Sequence, residues 1–250
     1  MHRFWMTGAA LGGLLMPVAL MAQDASSPRQ EVGVFTSESD APPAPWRLVR
    51  FKDSVPPTEY RIRAWAGEFA IEAHAHASMA LLARPTQIDL GRTPILCWRW
   101  RIDAPIAAAD LRKKSGDDYA ARVYVAFRVS PESMSWATRS KLALARSLFG
   151  AEVPDAALNY VWDNSHPVGT VTPNAYTERT MMVVTRSGTE DAGRWVSERR
   201  DVLADSRAAF GAGTFSPVLL AVASDADDTG GSAHAGFARL RFVARDESCD

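Results

Sequence analysis

The stretch PILCWRWRI, residues 94–102, decides the fold. Side chains of an extended chain point alternately to opposite faces, so Leu96, Trp98, Trp100 and Ile102 share one side and Cys97, Arg99 and Arg101 the other. A helix would scatter both sets, whereas a half-buried strand sorts them. AARVYVAFRV, residues 120–129, repeats the pattern: Ala121, Val123, Val125, Phe127 and Val129 oppose Arg122, Tyr124 and Arg128. In HAGFARLRFVA, residues 234–244, strict alternation sets Phe237, Arg239 and Arg241 against Ala238, Leu240 and Phe242. Further short alternating or apolar segments read as strands: WRLVRF (46–51), YRIRAWA (60–66), EFAIEAHAHA (68–77), MALLA (79–83), NYVWD (159–163), RTMMVVTR (179–186), RWVSERR (194–200) and SPVLLAVAS (216–224). Their spacing by turn residues predicts an all-β protein, an antiparallel β-sandwich.

Two segments break this pattern. Ser130, Pro131 and Gly150 bracket a predicted helical insertion over 131–149, and Asp201 and Gly211 bracket a second, short helix. At the N-terminus, a basic start (His2, Arg3), an apolar run from Phe4 to about Ala19 and small residues before Gln23 predict a signal peptide over 1–22, cut near Ala22. The expected location is therefore periplasmic or secreted. Residues 23–45, rich in Ser, Pro and acid, read as a flexible leader, and 46–250 as one β-sandwich domain. No later segment is long and apolar enough to span a bilayer. A formal net charge of −1 at pH 7 excludes the basic surplus that nucleic-acid binding needs. Two cysteines, Cys97 and Cys249, are free to form a disulfide in an oxidising compartment, but their separation in space is open.

The chemistry is less distinct. Walker, dinucleotide and Gly-x-Ser-x-Gly motifs are absent. Near the end, SDADDTGG (224–231) places Asp225, Asp227 and Gly230 at the first, third and sixth positions of a D-x-D-x-x-G calcium loop. The twelfth position is Gly236 rather than Glu, which excludes an EF-hand. A calcium ion on Asp225, Asp227 and Asp228 would need help from elsewhere, for which Asp117 and Asp118 in SGDDYAARVYV are candidates; the alternative is a plain turn. The same carboxylates are candidates for a glycoside hydrolase or lyase pair if they converge at about 5 to 10 Å. Trp162 ends a strand beside Asp163 and Asn164, the pattern of a sugar-stacking ring with hydrogen-bonding neighbours, or of a core tryptophan. Arg99, Arg101 and Arg122 form either a platform for an anionic ligand or a solvated face laced by acid pairs, with Glu198 a source of negative charge. Glu72, His74 and His76 alternate onto one strand face as partial zinc ligands, with His166 and His234 standing alone.

LCWRWRID, DLRKKSGDDYAARVYVAF, NYVWDN, GRWVSERRDVLADSRAAFG and SDADDTGGSAHAGFARLRF, in this order, resemble an uncharacterised bacterial exported family, domain of unknown function 3047. The resemblance implies a fold similar to jelly-roll, galactose-binding-like sandwiches and implies no activity. The combined expectation is a binding module for a glycan or other cell-envelope ligand. Asp117, Asp118, Asp225, Asp227 and Asp228 would form its polar rim, Trp162 would stack, and Arg99, Arg101 and Arg122 would meet an anionic group. A structural partner in an envelope protein complex, docking through the insertion around Trp136 and Leu144, is the remaining alternative.

Overall fold

The computed structural model describes residues 1, 29–149 and 153–250, so the predicted signal peptide lies outside the described residues apart from Met1. Two sheets pack face to face. The first, sheet A, runs in the order β11 (Val196–Asp201), β6 (Ile95–Ile102), β13 (Ser232–Val243), β4 (Glu68–His76), β3 (Glu59–Trp65). β1 (Gln30–Gly33) continues the β4 side of β13. Sheet B runs β2 (Arg47–Val49), β5 (Leu81–Pro85), β12 (Phe215–Ala223), β7 (Arg122–Val129), β8 (Ala156–Asp163), β10 (Thr177–Ser187), β9 (Val171–Asn174). Leu96, Trp98, Trp100 and Ile102 of β6 meet Val123, Val125 and Phe127 of β7 in one apolar core. Trp98 packs on Tyr160 at 5.4 Å and Trp100 on Trp162 at 5.7 Å between ring centroids. Each such aromatic removes about 150–250 Å² from water, roughly 4–6 kcal/mol at about 25 cal/mol per Å².

The sandwich is all-β, but sheet B is mixed: β10 pairs with β8 in parallel. Strict alternation fails in β13. Its register shifts between Ala238 and Arg241, and Arg239 has φ +54°. This β-bulge inserts one residue, so Phe237 faces the core, as do Leu240 and Phe242, while Arg239 and Arg241 face out. Part of the predicted leader is strand β1, because Val32 finds a place in the core beside β13. The helical insertion starts later than its Pro131 signal. Residues Pro131–Ser133 make a single 3₁₀ turn, and α1 (Trp136–Phe149) begins where the Ser135 hydroxyl accepts from the Thr138 N–H at 3.1 Å. The short helix α2 (Val202–Phe210) is capped by Asp201, which accepts from Ala204 N at 2.9 Å, and ends at Gly211 with φ +85°. Cys97 and Cys249 form a disulfide that ties the C-terminus to β6. Among the described residues no helix is long and apolar enough to cross a membrane.

Between β6 and β7 the chain folds over the outer face of sheet B. Leu111 and Tyr119 of this connection pack on Val161, Met182 and Val184, so β8 is covered on both faces. Gly116 makes the fold-back possible: a Cβ there would stand 2.7 Å from the backbone nitrogen of Asp110. This turn delivers Asp117 and Asp118 to the outer face of sheet B.

Candidate functional site

Opposite that turn, β12 ends at Ala223 and the chain runs through Asp225, Asp227 and Asp228 before β13. The two acidic segments meet at a cleft of about 340 Å³. Phe51, Val55 and Met79 line one wall, Asn174, Tyr176 and Thr180 another, and Arg122, Asp117 and Asp225 the floor.

Arg122 organises the floor. It projects from the outer face of β7 and is only 2 % exposed. Its Nε donates to Asp225 Oδ1 at 2.7 Å and a terminal nitrogen donates to Asp225 Oδ2, a two-pronged pair. It also donates to the Asp117 carbonyl and to the Tyr124 hydroxyl, and stacks over the Tyr119 ring at 4.5 Å. Burial pulls its pKa down, but the neighbouring Tyr124 and Asp117 outweigh that and hold the guanidinium charged, above its ordinary value. Asp225 also accepts from Tyr119 N–H at 3.3 Å. Its carboxylate is thus committed to protein donors, which removes it from the calcium set proposed from the loop motif. Arg122, likewise committed, has no fork left for an anionic ligand.

Asp118 takes the place expected of Asp225. Fully buried, it accepts from Asp228 N–H at 3.2 Å and Thr229 N–H at 2.6 Å, holding the glycine-rich loop in place. Carboxylate oxygens of Asp118, Asp227 and Asp228 lie within 4.8 Å of one another. Desolvation and the neighbouring carboxylates Asp228 and Asp118 raise the pKa of Asp227. Desolvation also raises that of Asp228, against the hydrogen bond from the Tyr176 hydroxyl at 3.1 Å. Tyr176 in turn is pushed up to about 12, by desolvation first and by the Asp228 charge second. Asp117 completes the ring: Asn174 donates to it at 3.0 Å. Asn174 and Tyr176 carry no motif of their own; sequence reading passes over them because only the fold brings the β9–β10 turn to the acidic loop, whereas Tyr124 shares the Arg122 face of its strand.

The other expected site residues lie elsewhere. Trp162 is 1 % exposed, packs in the core and donates its indole N–H to the Gly188 carbonyl, so it stacks on no ligand. Asp163 accepts from the N–H groups of Ser165 and His166, and Asn164 donates to the carbonyls of Ala107 and Ala109; both tie loops together. Arg99 and Arg101 face out from sheet A, on the far side of the sandwich from Arg122. Glu68, rather than Glu198, neutralises that face: it pairs with Arg99 and Arg239, while Arg101 lies over the Trp65 ring at 4.7 Å. Glu198 instead accepts from the Trp100 indole at 3.1 Å and from Arg186 at 2.5 Å. His76 bonds Ser232, and His234 does not stand alone but lies directly across from His74.

The sequence profile of the family described as "Protein of unknown function (DUF3047)" matches residues 44–241. The chain belongs to this family. No curated protein matches it. The DUF3047 match runs from before β2 into β13, leaving out β1; it takes in the acidic cleft and its Arg122 floor and stops before Cys249.

Proposed function

We propose that this DUF3047 chain is an exported binding module that takes a polyhydroxylated ligand, a cell-envelope glycan, in the sheet B cleft. One observation carries the reading: Asp227 and Asp228 reach a cleft with one apolar wall, where Lys52 is the cation acting on them from a distance and no ion pair holds either carboxylate among the described residues. Unpaired carboxylates accept hydrogen bonds from hydroxyl groups, and Tyr176 and Phe51, 47 % and 66 % exposed, offer ring surface for a sugar face. Because Arg122 is spoken for, neutral or amine-bearing sugars are favoured over acidic ones. The Cys97–Cys249 disulfide supports an oxidising compartment. A hydrolase would need two carboxyls free to act about 5 to 10 Å apart, whereas Asp118 is committed to the amides of Asp228 and Thr229 and Asp225 to Arg122.

Calorimetric titration with neutral, amine-bearing and acidic oligosaccharides tests the proposal. Asp228→Asn and Tyr176→Ala should each weaken the best ligand by about 10-fold or more, as expected for a charge-assisted hydrogen bond worth about 1.5–3 kcal/mol. Binding untouched by either substitution, or confined to acidic sugars, would remove it.

A further inference from the structure

The outer face of sheet A carries a second cluster, independent of the cleft. His74 on β4 and His234 on β13 are cross-strand partners whose rings stack at 4.1 Å and 15°. Trp65 stacks on His234 at 4.2 Å and 9°. Glu72, two residues before His74 and on the same face, places Oε1 3.2 Å from His234 Nε2 and Oε2 3.4 Å from His74 Nε2. Asp103, at the end of β6, sits 2.8 Å from His234 Nδ1.

From these contacts we propose that Glu72, His74 and His234 bind a divalent transition-metal ion of the zinc class, with Asp103 as the orienting partner. The hydrogen-bond accounting points there. If His234 donates Nδ1–H to Asp103, its Nε2 turns a lone pair toward the Glu72 carboxylate. Two acceptors facing each other are satisfied by a proton or a cation between them. The Asp103–His234 contact is also the arrangement by which metal-ligating histidines are held in one tautomer and made more basic. Spacing is compatible: tetrahedral zinc with bonds of about 2.0–2.2 Å has ligand–ligand edges of roughly 3.3–3.6 Å, and His234 Nε2 lies 3.2 Å from Glu72 Oε1, the oxygen that would bind, while Oε2 stands 3.4 Å from His74 Nε2. Near-parallel rings do not aim both lone pairs at one point, so His74 must swing about its Cβ–Cγ bond. It is half-exposed, and its other ring nitrogen has no hydrogen bond among the described residues, so the swing gives up only part of its stack on His234. His234, by contrast, is held by Asp103 and the Trp65 stack. Three protein ligands leave a fourth position for water or a ligand group.

The test is titration of Zn²⁺ into untagged protein stripped with chelator, at neutral pH, with Co²⁺ as a spectroscopic substitute. One equivalent should bind, and Co²⁺ should give the strong visible absorption of a tetrahedral site. His74→Ala and His234→Ala should each weaken binding by about 100-fold and abolish the cobalt spectrum, and Asp103→Asn should weaken it by about 10–100-fold. His74 is exposed enough that its variant should melt like the metal-free parent, which separates loss of a ligand from loss of the fold. Failure of Zn²⁺ to bind, or binding that survives His74→Ala and His234→Ala but is lost in Asp228→Asn, would overturn the proposal.

Discussion

Replacing Arg122 with methionine keeps most of the side chain's length and removes its charge. Asp225, 1 % exposed, would then face the interior with the Tyr119 N–H as its remaining donor. Breaking a buried pair by deleting one partner costs about 3–5 kcal/mol, because the other charge is stranded away from water. In a domain of this size each kcal/mol moves Tm by about 2–4 °C, so Arg122→Met should melt roughly 6–20 °C below the parent. Differential scanning calorimetry reads that loss. The companion variant Arg122→Met/Asp225→Leu removes both charges and should recover at least half of it. A stranded carboxylate is relieved by protonation, so the deficit of the single variant should also shrink as pH falls, which a simple packing defect would not do. A loss under about 1 kcal/mol, or a double variant as unstable as the sum of its parts, would refute the claim that this ion pair holds the floor of the cleft.

The Asp227 carboxyl has a folded-state pKa above its unfolded one, so the ionised form costs stability that is regained as pH falls through the folded value. Asp227→Asn should therefore raise Tm at pH 7, with the gain vanishing on acidification; melting curves from pH 3 to 8 check it. Calcium, if held by Asp118, Asp227 and Asp228, should raise Tm in proportion to the logarithm of its concentration, and Asp228→Asn should flatten that response. Reducing Cys97–Cys249, or Cys97→Ser with Cys249→Ser, should cost about 2–5 kcal/mol in urea unfolding, since the bond closes a loop spanning 152 positions. At Gly236 a Cβ would stand 2.6 Å from the Trp195 ring and 3.0 Å from the Trp65 ring, so Gly236→Ala should cost about 1–3 kcal/mol and shift tryptophan fluorescence.

What could be read from the chain followed from how local each cause is. β6 and β7 alternate cleanly because one face is core and the other solvent or a charged layer, and their parity survives intact in the structure. β8 carries no such signal, since both of its faces are covered, and the side taken by Trp162 is invisible in NYVWD. β9 is four residues long and contains Pro173, which belongs at a sheet edge and argues locally against a strand. In the cleft, the acidic segments stand out as polar residues at strand ends. Their partners do not: Arg122 and Asp225 are 103 positions apart, and Glu72 and His234 are 162 apart. The calcium motif misassigned Asp225 for that reason; a loop pattern contains no information about an arginine on another strand. His234 looked isolated on the same ground.

The bulge at Arg239 makes β13 a strand read in two frames. Before it, odd-numbered residues from Ala233 to Phe237 point inward; after it, even-numbered Leu240 and Phe242 do. Because the change of frame rests on a single extra position, straightening the strand with all its residues kept would turn Leu240 and Phe242 out into water and Arg239 and Arg241 toward the core. The polar side of the strand survives only because the bulge is kept. Backbone shape at this point is therefore under tighter constraint than length: a one-residue deletion would leave an ordinary alternating strand, while flattening the turn at Arg239 without shortening the chain would exchange inside for outside along half of a central strand.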